Sequence, residues 1–570
     1  MDFFIDIKYA SIKKAIKKIN EKIIFDGSNS YMQVSNPDST LIWIGDLVVP
    51  ESDLSKKGFL KKLNDNFEIK KMLRAGGFYY CIRTIKQSNK IQVMTSFLNI
   101  LPIYYIFHNE RLFLSSNINS LYKKAQIPPE VSKSFILEKM LFNYPFKNKT
   151  IFKKISMLPG NHYIEIDQNG FRLIEHTDIL EWVVDKPLSA KKSINGLVEK
   201  FNNRVKLYLP DQGYYLSFTG GFDGRTILSV SLKNQMKFNT YSFGSKENND
   251  IKIPLEQSGL LGIHHKPFYL DELKYIKESL KSGLELVEIT GSMSNFSRAH
   301  YVYAVKEISK THNYMITGNF GSEIFRAVHN TGVFVTPFLF GLFNGKNVQE
   351  FLENYPYDEL NYLNRDLFTN EIKVLKDEII SDYYFTQPQN EKNKIFYKYV
   401  FNEIFRKYFG AEIQMQNRYL FNRTPFLDYE IIKELFQTRL AGIYSNFYEH
   451  NPIKRFKGQL LYAHMIKENS DKLFYLKTGK GYSPSDLIHY WGKINLVKSF
   501  LKKRINRNSN QGDMFGVNQA IKYNMNEISK IPLNDDIFSK KSFQIAINGE
   551  IDNINNFANA VSINWYLNKI

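Results

Sequence analysis

The stretch that decides the fold is residues 216–225, LSFTGGFDGR. A short apolar run leads into a glycine-rich turn, and the helical pattern RTILSVSLKNQ follows it. This order predicts a strand, a turn and a helix whose first N–H groups converge where the helix dipole is positive. The glycines let an anion approach the backbone, Thr219 adds a hydroxyl, and Asp223 adds a carboxylate suited to Mg²⁺ among phosphates. We call residues 219–224 the glycine loop.

Upstream of the glycine loop the chain has a strand pattern. Short β-branched or aromatic runs, separated by Asn, Gly, Pro or Lys, predict closely spaced antiparallel strands. Two more runs, residues 162–167 and 171–176, are joined by a stretch that contains Asn169-Gly170, which predicts a hairpin. The runs before this hairpin are residues 41–49, 78–85, 90–97, 102–107 and 111–116.

Nearer to the glycine loop the period of the pattern changes. Ser189 is a candidate N-cap, and apolar residues then recur at helical spacing up to residue 209. A second strand pattern, residues 238–244, follows the glycine loop. Alternating strands and helices predict a parallel sheet, and beyond residue 347 the pattern is mostly helical.

Length and composition limit the class of protein. A chain of 570 residues predicts two to four domains, and 43% hydrophobic with 23% charged residues excludes a disordered or collagen-like chain. The net charge of +19 favours anionic partners such as nucleotides, RNA or acidic peptides, although a lysine-rich composition gives the same excess. One cysteine, Cys81, excludes an intrachain disulfide and a multi-cysteine zinc site.

The sequence also predicts the cellular location of the protein. Asp2 and Asp6 lie where a secretion signal needs basic residues. The most apolar window, residues 333–343, contains Pro337 and is shorter than the ~20 residues of a membrane-spanning helix. We therefore expect a soluble, cytoplasmic protein without a membrane partner.

Several segments, in the same order, resemble the asparagine synthetase family. The glycine loop, TGGFDG, resembles the S-G-G-x-D-S pyrophosphate loop of ATP pyrophosphatases. The second loop, residues 317–325 (TGNFGSEIF), resembles S-G-E-G-x-D-E-L-F, and the junction segment, residues 423–428 (RTPFLD), resembles R-V-P-F-L-D. The lysine segment, residues 476–484 (LKTGKGYSP), is similar to the family's lysine- and glycine-containing stretch. Further similar segments in the N-terminal part are residues 75–82, 96–105 and 112–122.

The resemblance implies an α/β and α+β protein of two domains. Residues 1–182 would form a glutamine amidotransferase-like domain with the αββα sandwich of Ntn hydrolases. Residues 189–570 would form a parallel-sheet ATP pyrophosphatase domain, similar to adenine nucleotide alpha hydrolases, with a helical C-terminal part. The family activates a carboxylate with ATP, releases pyrophosphate, and joins the acyl-adenylate to an amine. The implied cofactors are ATP and Mg²⁺, the implied partner is a small-molecule or peptide carboxylate rather than nucleic acid, and a homodimer stays open.

Carried over residue by residue, the resemblance implies a nucleotide site. Asp223 and Glu323 would bind Mg²⁺, and Glu323 would also take part in catalysis. Lys480, with Lys477 as the second choice, would place a cation on the α-phosphate as charge develops. The alternative for both lysines is an exposed surface position. The residues expected around ATP are Thr219, Gly220, Gly221, Asp223, Gly224, Arg225, Ser242, Phe243, Gly244 and Gly318.

The N-terminal half departs from the family pattern. The family's glutaminase uses an exposed first-position cysteine, whereas residue 2 is Asp2, and Cys81 lies within a strand pattern typical of a core thiol. The family's R-D pair is replaced by Thr95-Ser96, and its N-G-E stretch is absent from the first 70 residues. We expect a scaffold without glutaminase activity.

The second half departs as well. Asn319 replaces a Glu that handles the attacking amine, and an amide is not a general base. Ser322 replaces an Asp that binds Mg²⁺, with Glu323 one residue further on. Three alternatives therefore stay open beside plain amide synthesis. They are a peptide macrocyclase or β-lactam-type synthetase, a non-catalytic nucleotide-binding relic, and a tRNA-modifying pyrophosphatase-loop enzyme.

Overall fold

The N-terminal part of the chain forms two antiparallel sheets. The computed structural model describes residues 2–17, 19, 23–26, 31–325, 333, 336–345, 347–388, 390–447, 457–505 and 516–570. The strand orders are β2-β1-β8-β7-β9 and β11-β10-β6-β5-β4-β3. The strands are β1 Asp2–Lys8, β2 Ile23–Asp26, β3 Tyr31–Ser35, β4 Ser39–Gly45, β5 Tyr79–Ile85, β6 Lys90–Thr95, β7 Tyr104–His108, β8 Arg111–Ser115, β9 Ser156–Met157, β10 His162–Asp167 and β11 Gly170–Glu175.

These strands confirm the predicted antiparallel layers. The predicted hairpin is formed by β10 and β11, with Asp167 opposite Gly170, whose φ of +141° suits glycine. The two sheets pack on each other, since the rings of Phe3 on β1 and Tyr80 on β5 lie 5.0 Å apart between centroids. The helices of this part are α1 Ile12–Lys17, α2 Lys56–Asp65, α3 Ile69–Leu73, α4 Ile118–Lys124 and α5 Lys133–Phe142.

The remainder of the described chain is built around one five-stranded sheet. Its strands are β12 Tyr214–Ser217, β13 Phe238–Gly244, β14 His265–Tyr269, β15 Tyr314–Ile316 and β16 Phe421–Arg423. Every pairing is parallel, and the order is β14-β13-β12-β15-β16. The chain leaves β12 towards β13 on one side and later returns to β15 on the other. The loops after β12 and β15 therefore meet at a topological switch point, where open α/β sheets bind ligands.

Helices make up most of this second part, as predicted. They are α6 Ala190–Tyr208, α7 Asp223–Lys233, α8 Asn249–Leu261, α9 Leu273–Thr290, α10 Ala299–Ser309, α11 Gly321–Phe325, α12 Pro337–Asn344, α13 Val348–Asn354, α14 Thr369–Ser381, α15 Tyr383–Thr386, α16 Lys392–Tyr399, the π-helix Val400–Phe409, α17 Gly410–Gln416, α18 Tyr429–Leu435, α19 Lys457–Asn469, α20 Asp471–Tyr475, α21 Pro484–Ile488, α22 Gly492–Ile505, α23 Val517–Ser529, α24 Lys540–Ile547 and α25 Ile554–Leu567.

Ser189 is the N-cap residue of α6, as predicted, but it caps the helix without its side chain. The helix begins where the pattern predicts, but the Ser189 hydroxyl accepts no hydrogen bond from the first turn. Burial of the apolar face holds this helix in place, since Leu197, Phe201 and Val205 are all buried.

Within the described ranges, no helix is both long and apolar enough to cross a bilayer. Residues 334 and 335 of the apolar window lie outside the described residues.

One hydrophobic core extends through both halves of the chain. Phe97 from the N-terminal half packs edge-on against Tyr429 at the start of α18, with ring centroids 5.3 Å apart. Buried ion pairs join the halves as well: Arg423 binds Asp46, and Arg204 binds Asp428. The boundary between residues 182 and 189 stays a prediction.

Candidate nucleotide site

Three segments meet at the carboxylate of Asp223, the first residue of α7. Ser322 from the second loop donates a hydrogen bond to one carboxylate oxygen of Asp223, with 2.9 Å between the oxygens. The buried Tyr462 hydroxyl on α19 donates to the other oxygen. The glycine loop, the second loop and α19 therefore share one acidic group at the switch point of the parallel sheet.

The glycines allow the loops to approach this closely. A Cβ atom on Gly318 would lie 2.9 Å from Cβ of Asp223, and one on Gly321 would lie 2.8 Å from its Oδ1. A Cβ on Gly224 would lie 2.2 Å from the carbonyl oxygen of Ser217. Ordinary side chains do not fit at these distances. Phe320, between the two glycines of the second loop, adopts a left-handed φ of +67°, a backbone strain that is common at functional sites.

Backbone N–H groups of the glycine loop are directed to acceptors within the protein. Gly220 donates to the Oδ1 atom of Asp250 at 3.0 Å, and Gly221 donates to the Thr219 hydroxyl at 3.3 Å. Asp250 lies in the first turn of α8, where Asn248 caps the helix. Burial raises the pKa of Asp250, and the bond from Gly220 opposes that rise. An acidic group thus occupies an N–H position of the kind that phosphate oxygens use.

The lysine segment lies directly against the glycine loop. The N–H of Gly479 donates to the Gly220 carbonyl at 2.8 Å. The ammonium of Lys480, which is half-buried, lies 5.7 Å from the centroid of the Phe222 ring. The side chain of Lys477 is exposed instead. Of the two predicted lysines, the structure brings Lys480 to the glycine loop.

Arg225, which is expected around ATP from the sequence, contacts the lysine segment in the structure. Its guanidinium is fully buried and donates to the carbonyl oxygens of Leu476 and Lys477, at 3.5 Å and 3.3 Å. Burial lowers the pKa of Arg225 to about 10. The residue therefore ties the lysine segment to α7, which is a positioning role.

The end of β13 provides an aromatic and polar corner. The Ser242 hydroxyl hydrogen-bonds the Nε2 atom of His265 at 3.1 Å, and burial lowers the pKa of His265 to about 4. The ring of Phe243 lies 4.7 Å from the ring of His300 between centroids. The carbonyl of Gly244 accepts a hydrogen bond from Leu270 N at 2.9 Å. Ser242, Phe243 and Gly244 thus lie together beside the glycine-loop strand.

Glu323, the second predicted metal ligand, is placed in the second loop next to Ser322. It is half-buried, and it is one of the groups that influence the pKa of Tyr301, which burial raises. Within the described parts of the chain, no group of three or more His, Cys, Asp and Glu side chains could hold a metal ion. Mg²⁺ is usually bound by one or two carboxylates together with substrate phosphates, so the donor set around Asp223 still fits this ion.

The sequence did not reveal Tyr462 and Asp250 as members of this site. Tyr462 is separated from Asp223 by 239 positions and lies in no recognised motif. Asp250 lies in the first turn of a helix, where an acidic residue is common for local reasons. Only the folded chain shows that both reach the glycine loop.

In the N-terminal half, an acidic residue lies at the start of β1, and the cysteine lies on β5. At the start of β1, the Asp2 carboxylate forms an ion pair with Arg418 at 2.9 Å and accepts a hydrogen bond from Ser116 at 3.3 Å. The Cys81 side chain is fully buried on β5, and burial raises the pKa of its thiol. The prediction of a core thiol is confirmed.

Comparison with known proteins identifies this half. Residues 71–177, from the end of α3 through β11, match the family profile described as the glutamine amidotransferase domain. The chain contains a glutamine amidotransferase-like domain. The profile match does not reach the parallel sheet, and among curated proteins none matches the chain.

A solved structure gives a more distant likeness to the chain. It is the glutamine phosphoribosylpyrophosphate amidotransferase of B. subtilis complexed with ADP and GMP, at 10% identity and a TM-score of 0.17. The match covers 42% of this chain and 47% of that one, so it spans about half the length of the solved protein.

We expect the amidotransferase-like domain to release no glutamate from glutamine. The only cysteine of the sequence is buried in a strand, and a buried thiol with a raised pKa is not a nucleophile at neutral pH. Coupled glutamate detection on the purified protein checks this, with Cys81→Ala as the control that should change nothing. Glutamate release that disappears in Cys81→Ala would contradict the scaffold role.

Proposed function

We propose that this protein is an ATP-dependent, amide-bond-forming enzyme of the asparagine synthetase type. It would activate a carboxylate as an acyl-adenylate for attack by an amine, without glutaminase activity. The observation that carries this proposal is the convergence of the glycine loop, the second loop and α19 on Asp223, at the switch point of a parallel sheet. The order of the similar segments along the chain supports it.

The glycine loop is the proposed pyrophosphate site. Its N–H groups lie at the start of α7, where the helix dipole favours an anion. Phosphate oxygens would replace the Asp250 carboxylate at the N–H of Gly220. Asp223, with Glu323 as the second candidate, would hold Mg²⁺, which neutralises phosphate charge when bound. Thr219, Gly221 and Gly224 complete this loop, and Gly318 brings the second loop against it.

Lys480 is the proposed group for charge that develops on the α-phosphate. Its backbone is anchored, because the N–H of Gly479 binds Gly220 and the Thr478 hydroxyl binds the Tyr482 carbonyl at 2.7 Å. This anchored backbone would keep the ammonium near the α-phosphate, where a cation stabilises the charge of the transition state. Ser242, Phe243 and Gly244, at the end of the neighbouring strand, are the proposed contacts of the adenine.

A second candidate function is an intramolecular ligase, such as a peptide macrocyclase or a β-lactam-type synthetase. Asn319 cannot act as a general base. The only cysteine of the sequence, Cys81, is fully buried, so it does not supply a glutaminase nucleophile. An enzyme that uses an amine of its own substrate needs no ammonia. The lack of a general base at Asn319 and of a cysteine nucleophile therefore favours an amine supplied by the carboxylate substrate or by a separate acceptor.

We expect ATP to be split between its α- and β-phosphates. Incubation with ATP, Mg²⁺ and a panel of carboxylic acids and peptides should give AMP and pyrophosphate, because the glycine loop binds the leaving pyrophosphate. Separation of nucleotides by ion-exchange chromatography checks the product, and omission of the acid provides the blank. Release of ADP alone would contradict the proposal.

The two lysines supply a matched pair of variants for this reaction. Lys480→Ala should slow AMP formation by at least about tenfold, since it removes a charged donor worth about 1.5–3 kcal/mol. Lys477→Ala should leave the rate nearly unchanged, because this side chain is exposed. Equal effects of the two variants would remove Lys480 from the proposed site.

A further inference from the structure

A cavity of about 250 Å³ lies between the two halves of the chain. Lys139 on α5 contributes one wall, Ser294 and Asn295 contribute a second, and Tyr408 of the π-helix and Asn555 of α25 close it. Among the described residues that line this cavity, none is acidic. Its volume lies just below the range of about 300–1,000 Å³ for sites of drug-sized ligands, so it suits a small molecule.

Lys139 is a buried cation without a carboxylate partner in the described ranges. Its side chain is 1% exposed, and its ammonium donates to the carbonyl oxygens of Asn143 at 3.0 Å and Met293 at 2.5 Å. Carbonyl oxygens satisfy its donors but leave its charge uncompensated, which is unfavourable in the interior. Burial and the nearby Arg298 lower the pKa of Lys139 to about 7.

Other buried cations of this region contrast with Lys139. Lys407, which is equally buried, forms an ion pair with Glu403, and Arg298 forms one with Glu412. Burial lowers the pKa of His300 to about 3, so this imidazole adds no positive charge to the cavity at neutral pH. When Lys139 is protonated, the cavity wall therefore carries one positive charge more than its described partners neutralise.

Hydrogen bonds hold the polar side chains of the cavity wall in place, and one hydroxyl in the wall can still donate a hydrogen bond. The Ser294 hydroxyl is buried and has no hydrogen-bond partner among the described residues. Side-chain amides form a network along one wall, in which Asn295 donates to Asn559 at 2.8 Å and Asn559 donates to Asn143 at 2.8 Å. A site whose polar groups are already positioned loses little entropy when a ligand binds.

We propose that this cavity binds a small organic anion, one carboxylate of which pairs with Lys139 and accepts a hydrogen bond from Ser294. The bound carboxylate supplies the negative charge that the cavity wall lacks. Since His300 contacts Phe243, the anion lies next to the end of β13. The proposal does not depend on the nucleotide chemistry proposed above.

The test is direct binding in the absence of ATP. Isothermal titration calorimetry at pH 6.5 uses malonate, succinate and glutarate as probes, with glutaramide as the uncharged match of glutarate and with inorganic phosphate. At least one dicarboxylate should bind and glutaramide should not. Lys139→Met should weaken that binding by at least about tenfold. The thermal midpoint of this variant should equal or exceed that of the unchanged protein, because an unpaired buried charge is removed.

Lys407→Met is the matched control, since it removes a buried lysine that has a carboxylate partner. It should lower the thermal midpoint and leave the affinity for the dicarboxylate within about twofold. If Lys139→Met does not fold, Ser294→Ala decides, and it should weaken binding several-fold. Failure of all three dicarboxylates to bind, affinity unchanged in the folded variant, or binding of phosphate alone would overturn the proposal.

Discussion

Asp223→Asn is expected to reduce ATP–pyrophosphate exchange by at least about a thousandfold. The substitution keeps the size of the side chain but removes the charge that would bind Mg²⁺. It also weakens the acceptors for Ser322 and Tyr462. Each hydrogen bond to a charged group is worth about 1.5–3 kcal/mol, so losses at two hydroxyls and one metal ion exceed 4 kcal/mol together. Exchange of labelled pyrophosphate into ATP measures the effect, and circular dichroism verifies that the variant is folded.

Asp250→Asn is the matched control for this experiment. It also neutralises a carboxylate at the glycine loop, but its amide oxygen can still accept the hydrogen bond from Gly220. Because the charge that competes with phosphate disappears, exchange should be kept or increased. Opposite effects of Asp223→Asn and Asp250→Asn would distinguish a carboxylate that binds the metal from a carboxylate that occupies the phosphate position.

Other outcomes bear on separate parts of the proposed site. Full exchange by Asp223→Asn would show that the phosphate site is assigned wrongly. If Asp223→Asn is inactive and Glu323→Gln is unaffected, only the assignment of Glu323 falls, and the second metal ligand comes from elsewhere. If the unchanged protein exchanges pyrophosphate with none of the tested acids, the hypothesis of a nucleotide-binding relic is favoured.

The elements of this fold were predictable where the signal is local. Asn169-Gly170 predicts its hairpin because a tight turn needs these residue types, and the glycine loop predicts its strand and helix because each has its own period. The parallel sheet follows from alternation of the two periods. Local patterns do not give strand order, so the meeting of the loops after β12 and β15 became visible only in the structure.

Part of the candidate site could not be predicted either, because local patterns do not reveal contacts between distant segments of the chain. Lys480 could be named as the first choice because it lies in a motif, but the contacts of Arg225 with the lysine segment could not be predicted. A basic residue next to a phosphate loop suggests a phosphate contact, whereas its burial under the lysine segment depends on packing from 251 positions away. Tyr462 reaches Asp223 through the same long-range packing.

The junction segment shows a further limit of motif reading. Its sequence was recognised, but its function in the fold was not. Arg423 binds both carboxylate oxygens of Asp46, at 2.6 Å and 2.9 Å, across 377 positions of chain. At its other end, Asp428 accepts hydrogen bonds from Arg204 and caps α18. The segment joins the N-terminal half of the chain to the parallel-sheet half.

Asp46→Asn is expected to lower the free energy of unfolding by about 3–5 kcal/mol. Both partners are buried, with Asp46 2% and Arg423 5% exposed, so the variant leaves a guanidinium in the interior without its counter-charge. Arg423 keeps a hydrogen bond to the Tyr208 carbonyl at 2.9 Å, but this neutral acceptor does not compensate the charge. Urea denaturation of the full chain, followed by tryptophan fluorescence and circular dichroism, measures the change.

Glu51→Gln is the matched control, because Glu51 binds Lys62 at a similar distance of 2.9 Å but both side chains are largely exposed. Solvent screens such a pair, so its loss should cost less than about 1 kcal/mol. The double variant Asp46→Leu/Arg423→Met should recover much of the stability lost in Asp46→Asn, since it removes both buried charges together. If Asp46→Asn costs no more than Glu51→Gln, the ion pair does not stabilise the junction, and the shared hydrophobic core alone holds the halves together.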